Sequence, residues 1–307
     1  MAAVAATTLP LLGLSVFIML WHFGAAQVNT SLGQFPGPAT VFEQSLALWQ
    51  EHEVAREKEA AFYDRLAQQN AARQADNPDF EPLKIDYPGK PTFLDQIGTS
   101  LVTVLAGFTL GSLLAIPAGI LVGLSHRVHQ AVNPIVQLFK PVSPLAWLPL
   151  VTMVVSAVYV TDDPLFDKSF ITSMFTVTLC CLWPTLINTA VGVANIDQDL
   201  RNVSQVLRLP ALTHIRRIVI PSAIPMIFTG LRVSLGIAWM VLIAAEMLAQ
   251  NPGLGKFVWD EFQNGSSNSL GRIMVAVLVI GLIGYGLDRI MLQLQAWVDW
   301  DKSSQQR

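Results

Sequence analysis

Charge is what this 307-residue sequence has least of. Lys, Arg, Asp and Glu together make up 13% of it, about half the share of a soluble protein. Hydrophobic residues make up 52%, and the mean hydropathy is +0.47. This balance excludes a soluble globular enzyme and a disordered chain. A net charge of −3 gives no reason to seek a nucleic acid or another polyanion. Cysteine is scarce too. Cys180 and Cys181 are adjacent in an apolar run, whereas a disulfide framework or a zinc site needs spaced residues. The histidines, His22, His52, His126, His129 and His214, are scattered. They form no metal site and argue against a membrane-embedded enzyme. The sequence also lacks a G-x-x-x-x-G-K-[ST] run, so any ATP chemistry resides on another chain.

The charges that are present cluster, and the gaps between them define the architecture. With His taken as neutral, no charge precedes Glu43, and none falls between Asp95 and Arg127, Lys140 and Asp162, Lys168 and Asp197, or Arg272 and Asp288. Only Arg232 falls between Arg217 and Glu246. A helix needs about 20 mostly apolar residues to cross the hydrocarbon core. Six spans follow, at 8–27, 97–124, 138–160, 170–193, 222–249 and 270–293. In lipid the backbone must satisfy its own hydrogen bonds, so all six are expected to be helices. The fold class is therefore an all-α membrane protein. The first span ends Phe23-Gly24-Ala25-Ala26-Gln27, which also reads as a signal-peptide cleavage site. No Lys or Arg precedes Arg56, however, and a signal peptide wants a basic start. A retained span is the better fit.

Orientation follows from basic residues in the short loops. Arg127 and Lys140 follow span two; Arg201, Arg208, Arg216 and Arg217 follow span four; Arg289, Lys302 and Arg307 lie near or beyond the end of span six. These regions share one side, expected to be cytoplasmic, with both termini inside. The alternate loops carry Asp162, Asp163 and Asp167 against Lys168, and Asp260 and Glu261 against Lys256. The domain plan is a first helix within 1–27, an external polar segment at 28–95, a transmembrane domain at 96–295 and a tail at 296–307. The external segment holds eleven acids and six bases, a balance of −5. Leu48 to Gln74 reads as a polar helix, and the Pro and Gly residues from Pro78 to Pro91 as an irregular return. It is either a solvated helix on the outer surface or a docking surface.

Three local patterns stand out. Gly107, Gly111, Ala115, Gly119 and Gly123 recur every four residues in span two. Such a stripe suits close helix packing, with direct cargo contact as the alternative. Span three opens with Pro141, Ser143, Pro144, Trp147 and Pro149. Broken backbone at membrane depth is tolerated beside a cavity, so Ser143 and Trp147 line either a pathway wall or a mere kink. After span four, Val203, Val206 and Leu207, then Leu212, Ile215 and Val219, recur at helical spacing. Two short amphipathic helices are expected, broken near Arg208, Leu209 and Pro210. Exposed apolar residues with a basic rim invite a protein partner.

That last stretch, 195–221, resembles the EAA loop of ABC-importer permeases. Aligned on Pro221, Asn202, Val203 and Ser204 take the Glu-Ala-Ala places and Arg208 takes the usual glycine. Lys140 to Pro149, Pro221 to Pro225, Thr229 to Arg232, Ala244 to Leu248 and Asn251 to Phe262 resemble the nitrate/sulfonate/bicarbonate permease family. The resemblance implies a type I ABC importer permease fold, with the external segment after helix 1 as a further likeness to the nitrate subgroup. It implies import of a small inorganic anion, nitrate or nitrite, with bicarbonate, cyanate or an alkanesulfonate such as taurine as alternatives. Implied partners are ABC ATPase subunits carrying ATP and magnesium, a periplasmic or lipid-anchored substrate-binding protein, a second permease copy and the lipid of a bacterial inner membrane. No cofactor or metal is expected on this chain. The coupling residues would be Asn202, Val203, Ser204, Leu207, Arg208, Leu209, Pro210, Leu212 and Pro221.

For the pathway, an intramembrane Arg costs about 2.5–3.5 kcal/mol on insertion scales and marks a functional position. Arg232, Trp239 and Glu246 fall seven residues apart, on one helical stripe. Either this stripe faces the pathway and Arg232 attracts the anion, or Arg232 pairs with a carbonyl or an acid. Glu246 would repel an anion, so a structural partner near the outer face is expected for it. A secondary transporter or channel is the competing class; it predicts buried acids or His relays and internal repeats, which are scarce here.

Overall fold

The structure, a computed structural model, describes residues 2–30, 33–77, 80–160, 165–266 and 268–298, with side chains from residue 8 onward. Asp162, Asp163, Lys302, Arg307 and most of the expected 296–307 tail lie outside the described residues. Among the described residues the elements are helices, apart from a two-residue hairpin of β1 (Asn29–Thr30) and β2 (Gly33–Gln34). The chain divides into two compact units. One is built on the stretch up to Gly98 with Phe257–Leu278, the other on Thr99–Lys256 with the stretch from Val279 onward.

In the first unit, α1 (Ala2–Gln27) is apolar throughout and exposed along most of its length. The polar helix α2 spans Pro38–Asp76, ten residues earlier at its start than the sequence pattern indicates. Gly37 precedes it and Pro38 supplies its first turn, where a missing N–H costs nothing. One face of α2 is fastened. Glu51 pairs with Arg272 of α11 (Ser269–Val298), which also holds Glu261 of α10 (Leu254–Asn264) at 3.2 Å. His52 Nδ1 lies 2.7 Å from Thr92 Oγ1, and Arg56 donates to Asp95 at 2.9 Å. The far end of α2 holds the returning chain instead. Asn70 both donates to and accepts from the Leu83 backbone at 3.0 Å, and Tyr63 OH accepts from Tyr87 N–H at 3.2 Å.

The second unit is the helical bundle. Its axis is α3 (Phe93–Leu124) against α6 (Lys168–Ala194). A Cβ added at Gly107 would lie 2.8 Å from Met174 O, at Gly119 2.7 Å from Leu186 O, and at Gly123 2.6 Å from Ala190 O. At Gly111 it would lie 3.0 Å from Cys181 Sγ. The small-residue stripe therefore packs backbone on backbone. Its partners rise in number together with it, so α3 and α6 run parallel. The chain must recross between them, and α5 (Pro144–Val158) is the apolar helix that does so.

Here the third expected span needs correction. It does not run unbroken over 138–160. Residues His126–Phe139 form α4, bent 99° from α5. Lys140 to Ser143 break the helix because Pro141 and Pro144 donate no N–H, and Ser143 turns extended to accept from Leu145 N–H at 3.3 Å. The 15 residues of α5 cover about 22 Å at 1.5 Å per residue. α9 (Ile220–Ala249) runs antiparallel to α6: Ser234 Oγ accepts from Thr185 N–H at 3.1 Å and donates to Cys181 O at 2.5 Å. The part of α11 beyond Leu278 runs antiparallel to α9, as Trp239 to Ile280 and Arg232 to Asp288 attest.

Candidate functional site

The loop after α6 is built in two arms. The first arm is α7 (Gln198–Val206), capped by Asp197, whose side chain accepts from Asp199 N–H at 2.9 Å. Asn202 accepts from Gln198 one turn back. α7 ends at Leu207, and Arg208 follows with φ +46°. That is left-handed backbone, which favours glycine. Arg208 thus holds a conformation that glycine adopts more easily than arginine. Leu209 N–H then donates to Ser204 O at 3.1 Å, and Pro210 opens α8 (Ala211–His214). The second arm is not the separate short helix expected from the sequence. It continues through a π-helical turn, Ile215–Val219, into α9, giving one stretch from Ala211 to Ala249. Pro221 lacks an N–H, so the regular ladder is interrupted, and Ile220 N–H reaches back five residues to Ile215 O.

The loop turns two different faces to its surroundings. Val219, Ala223 and Ile227 are buried with Ile120, Val193 and Ile196, so the second arm is seated on the ends of α3 and α6. Arg201 donates to the Val193 and Ala194 carbonyls at 3.2 and 2.7 Å, closing the C-terminus of α6. Ser204 is buried beside His214, Oγ to Nδ1 2.7 Å. Val203, Val206, Leu207 and Leu212 point outward; Val206 is 81% exposed. Pro221 is also exposed.

The other stripe, Arg232, Trp239 and Glu246, runs along α9 but its members meet different partners. Arg232 is held by Asp288 of α11 through two bonds, Nε to Oδ1 2.5 Å and Nη2 to Oδ2 3.0 Å. Both side chains are about 40% exposed (41% and 40%). Trp239 is buried and donates to Ile280 O at 3.0 Å. Glu246 is fully buried. Its carboxylate accepts from Ser100 Oγ at 2.8 and 2.9 Å and from Gly255 N–H at 3.0 Å. The structural partner expected for Glu246 is thus Ser100, with the first turn of α10. Gly253 and Gly255 are required here, since a Cβ at either would collide with Glu246 or the Ile243 carbonyl. At the broken span, Ser143 is an exposed helix cap. Trp147 fronts an apolar groove of about 750 Å³ between α3, α5 and α6. Its Nε1 is buried with no hydrogen-bond partner among the described residues.

Sequence reasoning missed Asp288 as the partner of Arg232, Ser100 as the partner of Glu246 and His214 as the partner of Ser204. Asp288 had one visible signal, since it closes the last charge gap.

A bundle of helices long and apolar enough to cross a membrane, with parallel α3 and α6 and a folded loop turned outward at one end, is the architecture of a multi-pass membrane protein. The chain belongs to the family of binding-protein-dependent transport system inner membrane components, whose pattern matches residues 94–299. It is 32% identical over 291 residues to the bicarbonate transport system permease protein CmpB of Synechococcus elongatus, covering 94% of this chain and 88% of that protein. It is 37% identical over 196 residues to the nitrate import permease protein NrtB of Leptolyngbya laminosa, covering 64% and 65%. In fold it matches a chain of the MetNI methionine ABC transporter in an inward-facing conformation, with a TM-score of 0.57 at 13% identity over 67% of this chain and 96% of the other. The chain is an inner-membrane permease subunit of the ABC importer type. It works with a separate ATPase and a substrate-binding protein and has no catalytic activity of its own.

Proposed function

We propose that this permease admits a small planar oxyanion, nitrate first and nitrite with it. The observation that carries the reading is the pair of similar relatives named for nitrate and for bicarbonate. Both ions are trigonal, three-oxygen monoanions of nearly equal size, so one pathway geometry suits either. Bicarbonate is the second reading, favoured by the match that extends over 94% of this chain. ATP-dependent uptake by the reconstituted complex, compared for nitrate, nitrite, bicarbonate, cyanate and taurine, decides between them. Nitrate or nitrite uptake that outcompetes bicarbonate supports the first reading. Preference for taurine or cyanate overturns both.

The working unit in this reading is a homodimer of permeases over two ATPase subunits, which bind the ATP and magnesium. Basic loops face the cytoplasm, both termini lie inside, and residues 28–95 lie outside. The six-crossing count agrees with the parallel run of α3 and α6. Val203, Leu207 and Leu212 are the apolar contacts for the ATPase, while Asn202, Ser204, Arg208, Leu209, Pro210 and Pro221 shape the loop that presents them. ATP-driven closure moves the loop, and α9, continuous with its second arm, carries that motion into the membrane. Such coupling requires an ATPase that binds the two permease states with different affinity. In the membrane, the half-exposed Arg232–Asp288 pair would be costly against lipid. We assign this face of α9 and α11 to the water-filled pathway or the second copy. Trp239 and Glu246 brace it from within, and Ser143 and Trp147 mark the wall at the broken span.

A further inference from the structure

Beneath the joint between the two arms of the loop lies a cavity of about 320 Å³ whose use the transport reading leaves open. The ends of α3 and α6 close one side, at Gly123, Leu124, Val193 and Ile196. Arg201, Ser204, Gln205, Arg208 and His214 supply the rest of its polar lining. None of the cavity's lining residues is a carboxylate among the described residues. Its polar edge therefore consists of two guanidiniums, an imidazole, a hydroxyl and an amide.

The hydrogen-bonding inventory leaves donors available. Arg201 uses Nη2 for the two α6 carbonyls, but a guanidinium carries five N–H donors. Its Nε and Nη1 remain. Ser204 and His214 satisfy each other through Oγ and Nδ1, leaving Nε2 of the imidazole. Arg208 is exposed, and its side chain is aimed from a backbone at φ +46°. Left-handed backbone disfavours a non-glycine residue, and here the strain falls on the residue that brings the second guanidinium to the cavity.

From this geometry we infer that the cavity is a binding site for a small inorganic oxyanion, held by Arg208 and Arg201, that braces the joint between α7 and α8. Charge-assisted bonds from guanidinium to an oxyanion are the strong kind. An anion there spans the joint, because Arg208 stands on one side of Pro210 and His214 on the other. The site shares no lining residue with the Arg232–Asp288 face, so the two are separate.

The test is amide hydrogen exchange on the intact permease–ATPase complex, with inorganic phosphate as the probe and chloride at equal ionic strength as the control. Phosphate slows exchange across 198–214 in the wild type. Arg208→Gln raises the phosphate concentration needed roughly tenfold or more, the weight of one charge-assisted hydrogen bond. Arg208→Lys keeps most of the effect. Arg208→Gly separates charge from backbone: it relieves the left-handed strain and still loses phosphate protection. Equal protection in the wild type, Arg208→Gln and Arg208→Gly, or protection by chloride alone, overturns the proposal. So does no protection in a wild-type complex that remains assembled. These readouts involve neither uptake nor cargo identity, so they stand or fall apart from the nitrate reading.

Discussion

Ser100 Oγ lies 2.8 and 2.9 Å from the two carboxylate oxygens of Glu246, 146 positions further along the chain, and accepts from Leu254 N–H at 2.9 Å. One serine thus ties the start of the α3 bundle segment to the end of α9 and to the first turn of α10. Glu246 completes the cluster through Gly255 N–H. A carboxylate at a helix N-terminus also meets the positive end of the helix dipole. Among the described residues Glu246 is the only acid among the fully buried side chains, and hydrogen-bond donors, not a counter-charge, meet it.

Glu246→Ala leaves the Ser100 hydroxyl and the Gly255 N–H without their acceptor. Each buried donor left unmet costs about 1–3 kcal/mol. The thermal unfolding temperature of the purified complex falls, and more than for Ser100→Ala. The Ser100→Ala/Glu246→Ala double variant loses less than the sum of the two, because they remove the same bonds. Additive losses would contradict the shared cluster.

The α3–α6 contact predicts a position-specific intolerance. Gly123→Val places a branched side chain where even a Cβ would lie 2.6 Å from the Ala190 carbonyl. Overpacking of this kind costs about 1–3 kcal/mol, and a carbonyl within a helix cannot rotate away. Yield and thermal stability drop in Gly123→Val. Gly98→Ala, on open space near the start of α3, serves as the tolerated control.

The Arg232–Asp288 pair separates two roles by exchange. Arg232→Gln or Asp288→Asn alone leaves one charge uncompensated and lowers stability, by less than breaking a fully buried pair would, because both side chains are about 40% exposed. The exchanged Arg232→Asp/Asp288→Arg variant recovers stability and assembly if fastening is the role. Uptake recovers with it only if no anion meets the arginine at position 232. Recovered stability with uptake still abolished places Arg232 in the pathway.

Much of this architecture was legible in advance because lipid imposes a simple rule. Long runs with little or no charge mark spans: α3 and α6 fall on uninterrupted ones, α9 on one broken only by Arg232, and α11 on a shorter one between Arg272 and Asp288. The stripe from Gly107 to Gly123 announced close packing because small residues four apart share a face. The break at 140–143 was visible as prolines, but prolines both start helices and end them. Sequence alone did not show that α4 would turn 99° from α5. Arg232 stood out as a lone charge, whereas its partner lies 56 positions away on another helix, a distance no periodicity reports. The continuity of α8 into α9 was hidden because Pro221 reads as a breaker. A π turn absorbs the missing N–H and lets the helix run on.

In the proposed function the outward face of residues 198–212 meets an ATPase on the cytoplasmic side. The most direct measurement is site-specific crosslinking and labelling at Leu207→Cys in intact cells and in the purified complex. The predicted result is crosslinking to the ATPase subunit and no labelling by a membrane-impermeant maleimide from outside. Val206→Asp/Leu207→Asp should release the ATPase while the permease stays folded, since both positions are exposed. Labelling from outside, or full retention of the ATPase by the double aspartate variant, would contradict it.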